Sequence, residues 1–241
     1  MIFIKNRRYK PIYKKFLALR QNVLNSDKFF LFNRRKWKNL ISQLERLQKK
    51  YPQEYKLYDH TLYFLPKYSN SFKNNFRYNL RLKQRLKLVY SKLLKRYLKK
   101  HISSILTKNN LNKTQKNNSL NVLEFFENRL DVILYRSYFV PSIKIARQLI
   151  LHKHITINKV LVTNPLKKLK VGDIIEISTK FHKKIAQKIQ ISEFHFIPPK
   201  YLQINYKTFQ ILIVSKLNKI NSSILYSFWF DLPTFAKCFK N

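Results

Sequence analysis

The sequence predicts an α+β chain: a basic, mainly α-helical N-terminal region, an embedded module of two helices followed by short strands, and a short β-containing C-terminal extension. Three observations predict it. Asn79 to Lys100 carries apolar residues at helical spacing, set among cations with no acid between them. From Glu127 to Lys180 the apolar period changes twice, from one helical run to another across Pro141 and then to strict alternation. Past Pro198 and Pro199, alternation returns at Ile204 and Tyr206 and again at Phe209, Ile211 and Ile213.

A chain of 241 residues with 45% hydrophobic composition can bury a core and holds one or two domains plus extensions. Fifty Lys and Arg against eleven Asp and Glu leave a net charge of +39. Self-repulsion on that scale calls for a polyanion, and nucleic acid is the expected partner. Anionic lipid is the alternative, but it usually accompanies a membrane span or a confined basic patch. Here the charge runs the whole length, and FQILIVSKL and SSILYSFWF are too short to cross a bilayer, so no membrane partner is expected.

Several kinds of chemistry are not expected. Cys238 is the only cysteine, which leaves no internal disulfide and no cysteine metal cluster. His60, His101, His152, His154, His182 and His195 are scattered without an H-x-x-x-H spacing, so no metal is expected. One glycine, Gly172, cannot build a phosphate-cradling loop. With eleven acids and no paired constellation, the expectation is no catalytic residue, no cofactor, no small-molecule substrate and no enzyme.

From the N-terminus, MIFIKNRRYK lacks the apolar core of a secretory signal and brings Arg7, Arg8 and Lys10. Asn33 to Tyr51 predicts a helix with Trp37, Leu40, Ile41, Leu44 and Leu47 on one face. Arg34, Arg35, Lys36 and Lys38 crowd its first turns against the helix dipole, which suggests an external anion; a solvated basic face is the plainer alternative. Pro52 to Ser71 has no period and reads as irregular or short helical. Its tyrosines would pack with their hydroxyls at the rim or stack on unpaired bases.

Asn79 to Lys100 predicts one long helix. Leu82, Leu86, Val89, Leu93 and Tyr97 form its stripe, and Arg81, Lys83, Arg85, Lys87, Lys92, Lys95, Arg96, Lys99 and Lys100 cover much of the rest. No acid lies between Asp59 and Glu124, so the helix has no i,i+4 ion pairs to make, and phosphate binding is the simpler account. Thr107 to Asn121 is polar and low in complexity, and predicts a flexible linker or an insertion.

In the central stretch, Leu130, Ile133, Leu134 and Ser137 predict a helix that Pro141 stops, with Asp131 capping it or pairing with Arg129. Ser142 is placed to N-cap a second helix that lines up Ile143, Ala146, Leu149 and Ile150 and leaves Lys144, Arg147 and Gln148 polar. Ile155 to Ile157 predicts a strand, Asn158-Lys159 a tight turn, Val160 to Thr163 its return, and Ile174 to Ile177 a third strand. A chain that avoids glycine elsewhere keeps Gly172 where a turn before a strand needs positive φ. Phe181 to Pro199 reads as a basic connector, and the last twenty residues, SSILYSFWFDLPTFAKCFKN, as core or a protein contact.

These elements carry R-L-D at Arg129, S-x-x-x-A-R-Q-L-I from Ser142, H-K-x-I-x-I-N from His152 and V-G-D-I-I from Val171. In that order they resemble the RNA-binding module of the ribosomal protein S4 family, over about a quarter of the chain. K-Q-x-L-x-x-x-Y from Lys83 resembles the helix that precedes the module, RRYKPIYKKFLALRQNV the N-terminal segment of organelle members, and PPKYLQINYKTFQILIVSK the family's extension, which packs back on the helical part. Two positions depart: Ile143 stands where the family is often basic, and Lys159 follows Asn158 where a glycine is usual, which suggests a longer or strained turn. The organisation expected is a basic helical rRNA-binding domain over 1–106, a polar linker or insertion over 107–121, the S4-type module over 122–180, and an extension over 181–241 that packs on the helical domain or a neighbouring protein.

The resemblance implies a structural constituent of the small ribosomal subunit that binds small-subunit rRNA. It further implies a role in assembly and translation, a place near where mRNA enters, and neighbouring small-subunit proteins as partners. The cations expected on RNA are Arg7, Arg8, Lys10, Arg34, Arg35, Lys36, Arg81, Lys83, Arg85, Lys92, Arg96, Lys99, Arg129, Lys144, Arg147, Lys153 and Lys159, with His152 and Asn158 beside them. On the helix-turn-helix face Lys144, Arg147, His152 and Lys153 come first. Usage rich in Lys, Asn, Ile, Phe and Tyr and nearly empty of Gly suggests AT-rich codons and a gene in a mitochondrial genome. A free-standing RNA-binding factor, and behind it an RNA-modifying enzyme carrying the same module, are the alternatives.

Overall fold

A computed structural model describes residues 12–19, 23–24, 31–50, 72–91, 93, 95–111, 118–191 and 198–217. Arg7, Arg8, Lys10 and Lys92, the tyrosine-rich stretch and the aromatic tail lie outside them. The chain divides into two compact units between Val89 and Tyr90.

The first unit holds α1 (Ile12–Leu19), α2 (Arg35–Lys50) and α3 (Phe72–Val89). Phe16 and Leu19 of α1 and Trp37 and Leu40 of α2 are buried, and Leu17, Phe32 and Ile41 pack around the α2 pair. Of the apolar stripe expected on α2, Trp37 and Leu40 are buried and Ile41 packs against them, while the side chains of Leu44 and Leu47 lie outside the described ones.

In the second unit come α4 (Lys95–Leu111), α5 (Asn118–Glu127), α6 (Leu130–Arg136), α7 (Ile143–Leu151), β1 (Ile155–Ile157), β2 (Val160–Leu161), β3 (Ile174–Ile177), α8 (Thr179–Ile191), β4 (Leu202–Asn205) and β5 (Gln210–Ile213). All strands pair antiparallel in the order β2-β1-β3-β5-β4. Ile155, Ile157, Ile175, Ile177, Ile211 and Ile213 put one buried residue on every second position of three strands, as a half-buried sheet requires. Ser142 caps α7 by accepting from the Ile145 N–H, and Ile143, Ala146, Leu149 and Ile150 are its buried side. At the start of α6 the Leu130 and Asp131 N–H groups donate to the Lys167 and Pro165 carbonyls, so a loop does the work of a capping side chain.

Four expectations from the sequence are corrected. The helix expected over Asn79–Lys100 is two helices, α3 and α4, with Ser91 between them at φ 56°. Residues 107–121 are helical at both ends, since α4 runs to Leu111 and α5 begins at Asn118. The connector after Lys180 is α8, whose Ile185 is buried and whose Phe181 meets the His154 ring at 4.5 Å. Finally, α6 ends at Arg136, before Pro141, where Ser137 and Tyr138 donate backwards to Ile133 and Tyr135 and Tyr138 turns left-handed.

Gly172 has φ 93°, and a Cβ there would meet nothing within 4 Å, so the requirement for glycine is conformational and not steric. Besides it, Ser91, Tyr138, Lys153, Asn158, Lys159 and Phe209 hold positive φ with side chains attached. Each costs on the order of 1 kcal/mol, least for asparagine.

Candidate nucleic-acid interface

Two buried carboxylates organise the second unit. Glu127, at the end of α5, accepts from Arg136 Nε and Nη2, both at 2.9 Å, from the Tyr90 hydroxyl and from the Tyr201 hydroxyl at 3.4 Å. It is fully buried. Burial opposes the charge on Arg136, but Glu127 more than offsets it and holds the guanidinium pKa well above its ordinary value. The second carboxylate, Asp131, is equally buried and accepts from Arg129 Nη2 and from Arg147 Nε, the latter at 2.7 Å.

Arg147 does more than pair. Its Nη1 donates to the Ser91 carbonyl at 2.8 Å and its Nη2 to the Tyr90 carbonyl at 2.9 Å. These are the two residues at which the expected long helix breaks, so α7 reaches back and takes the carbonyls that a continuous helix would have used itself. We expect Arg147→Ala to destabilise the fold by about 3 kcal/mol, because Asp131 loses a partner and two carbonyls lose their donor. Lysine should recover only part of this, since it lacks the fork. Denaturant titration of the two variants checks it.

Three residues expected on RNA are engaged within the fold, Arg129 buried, Arg147 half-buried and Asn158 at the surface. Arg129 is fully buried and presents no charge at the surface. Arg147 is committed to Asp131 and to the α3–α4 break. The Asn158 amide donates to Asp173 and its oxygen accepts from the Ile174 N–H, which fixes the β1–β2 turn against β3. All three are polar at positions where helical or strand spacing predicts a surface, and only long-range partners reveal the difference.

Other expected residues are exposed: Lys144, His152, Lys153 and Lys159 around α7 and β1, Arg96 and Lys99 on α4, Arg34, Arg35 and Lys36 at the start of α2, and Arg81 on α3. Lys83 and Arg85 are half-buried. Because α7 buries its apolar stripe, its other side shows Lys144, Ile145, Gln148, Leu151 and His152 together. The structure adds cations that were not singled out: Lys167, Lys168 and Lys170 on the loop over α6, and Lys180, Lys183 and Lys184 on α8. The K-K-x-K run in that loop was the available signal. Lys168 Nζ lies 4.3 Å from the Phe125 ring centre. His101, 5.0 Å from the same ring, is shifted below its ordinary pKa by partial burial, then by Lys168 and Lys100.

The described acids of this unit are engaged internally. Besides Glu127 and Asp131, Asp173 holds the Lys170 N–H and Asn158, Glu176 accepts from Gln210 at 2.8 Å, and Glu124 accepts from Asn128. Arg129 and Arg147 pair with Asp131, and Arg136 with Glu127. Lys144, Lys153, Lys159, Lys167 and Lys170 are exposed at the surface.

Two helices set by an arginine–carboxylate pair, followed by a short antiparallel sheet, match the S4 domain family over residues 128–175. This part of the chain is similar to the S4 domain. The similarity reaches beyond it to small ribosomal subunit protein uS4 of Azorhizobium caulinodans, 33% identical over 102 residues, 42% of this chain and 47% of that protein. The uS4 of Agrobacterium fabrum is 33% identical over 39% of this chain and 46% of its own length, and that of Caulobacter vibrioides 42% identical over 27% and 31%. The chain thus spans from about a third to a little under half of the length of these relatives. The S4 domain does not stand alone in the fold. Its β3 pairs with β5, so the C-terminal hairpin completes the sheet that the domain begins.

Proposed function

We infer that this chain is a structural constituent of the small ribosomal subunit and binds small-subunit rRNA. The observation that carries the reading is how charge is distributed in and around the S4-like part: the described acids are engaged within the fold, while Lys144, Lys153, Lys159, Lys167 and Lys170 are exposed. A polyanion is what such a surface fits. The mechanism is phosphate neutralisation with release of counterions, while the sheet and the two carboxylate clusters hold the domain rigid and so set its orientation. Recognition is of RNA shape more than of base sequence.

The names of the similar proteins support the small-subunit placement; support of subunit assembly and translation, neighbouring small-subunit proteins as partners and a position near where mRNA enters are the finer parts of this proposal. Residue usage supports a mitochondrial small subunit and an organelle gene, because Lys, Asn, Ile, Phe and Tyr dominate while glycine occurs once. The decisive experiment is gradient sedimentation of native ribosomes at rising salt, following the chain by antibody. It should travel with the small subunit through washes that strip loosely held factors. Recovery mainly as free protein at low salt would overturn the reading.

A further inference from the structure

Two lysines of the S4 domain occupy backbone positions whose geometry asks for glycine. The end of α7 is a Schellman closure: the His154 N–H donates to the Leu149 carbonyl and the Lys153 N–H to the Ile150 carbonyl. The residue that turns left-handed there is Lys153, at φ 61°. The β1–β2 connection has two residues between the paired Ile157 and Val160, with Asn158 at φ 50° and Lys159 at φ 67°. That is the hairpin turn for which Asn-Gly is the favoured pair. In both places a glycine would relieve the backbone and would cost no contact, since both side chains are exposed and neither ammonium has a partner among the described residues.

The other left-handed residues nearby do not share this pattern. Asn158 tolerates the conformation and uses its amide on Asp173 and Ile174. Tyr138 closes α6 through its N–H to Tyr135. Lys153 gains something from lying at the C-terminal end of the α7 dipole, where a cation is favoured. Lys159 has no helix behind it. Its backbone strain is offset by nothing that the described fold supplies, and that points to an external ligand for the charge.

We propose that Lys153 and Lys159 are phosphate-binding residues of the S4 domain, held in strained backbone so that their ammonium groups reach rRNA from two connections of β1. The proposal rests on the rRNA-binding reading above and sharpens it, separating two specific contacts from the general excess of charge. It predicts opposite signs for fold and function: replacing the lysines by glycine relaxes the backbone and loses affinity.

The test is filter binding of the full-length chain to transcribed small-subunit rRNA across a salt series, for wild type, Lys153→Gly, Lys159→Gly, the double glycine variant and the corresponding arginine variants. The double glycine variant should bind about tenfold more weakly near physiological salt, with its log–log salt slope shallower by about two. Its melting temperature should equal or exceed that of the wild type, and the arginine variants should keep wild-type affinity. Glycine variants that match a binding wild type in affinity and slope would overturn this inference alone, leaving the lysines as mere occupants of glycine sites. A double variant that melts lower would also overturn it, since the lysines would then be serving the fold. Absence of any salt-dependent binding by the wild type would remove the rRNA reading and this inference with it.

Discussion

Replacing Glu127 by alanine should cost about 3–5 kcal/mol, the usual penalty for leaving one side of a buried ion pair uncompensated. The stability of a domain is on the order of 5–15 kcal/mol, so this is a large share of it, and the melting temperature should fall by roughly 10 °C or more. The cost comes from Arg136, Tyr90 and Tyr201, which all donate to the one carboxylate and would be left in a buried site. Glutamine keeps the shape and removes the charge, so Glu127→Gln should remain severely destabilised. Because Tyr201 precedes β4, hydrogen exchange over 198–217 should quicken together with exchange over 130–136. A Glu127→Ala protein that melts within a degree or two of wild type would mean that the cluster contributes little.

The second large effect is on binding. Reversing Arg96, Lys99 and Lys100 to glutamate should weaken affinity for small-subunit rRNA by about a hundredfold or more at physiological salt, since three potential phosphate contacts become repulsions. These residues are exposed and lie three and four positions apart near the start of α4, hence on one side of it. The first turn of α4 has no acid, so carboxylates there would suit the helix dipole better than the cations do. Stability should therefore hold or rise slightly while binding collapses. Circular dichroism and filter binding on the same preparation separate the two, and unchanged affinity would show that this side of α4 takes no part in binding RNA.

Much of the S4 domain is legible in the sequence because its rules are local. Ser142 before an apolar period of 3.6 fixes the start of α7, alternation of isoleucines fixes β1 and β3, and a lone glycine fixes the turn at 172. The match to the S4 domain family falls in that same part of the chain. What the sequence hides is set by partners far along the chain. Leu82, Leu86, Val89, Leu93 and Tyr97 keep helical period straight through Tyr90, and nothing local says that Arg147, 56 residues beyond Ser91, will take its carbonyl. Arg129 and Arg147 look like surface cations for the same reason: spacing gives the side of a helix, but only the fold says that Asp131 is buried between them. A different limit applies to α8. Phe181, Ile185 and Ile189 do recur at helical spacing behind Ser178, a capping residue type, but polar and basic residues fill the intervals and obscure the period.

The order of strands has a consequence for biosynthesis. When Ile177 has left the peptide tunnel, β3 is bonded to β1 on one side only, and its other side waits for residues 210–213. Until those emerge, a nascent chain carries a row of unmatched amides and carbonyls beside apolar side chains, a ready template for sticking to a sister chain. A message broken between those codons would yield a polypeptide with its S4 helices in place and that seam permanently open, fit for clearance by proteases and not for incorporation.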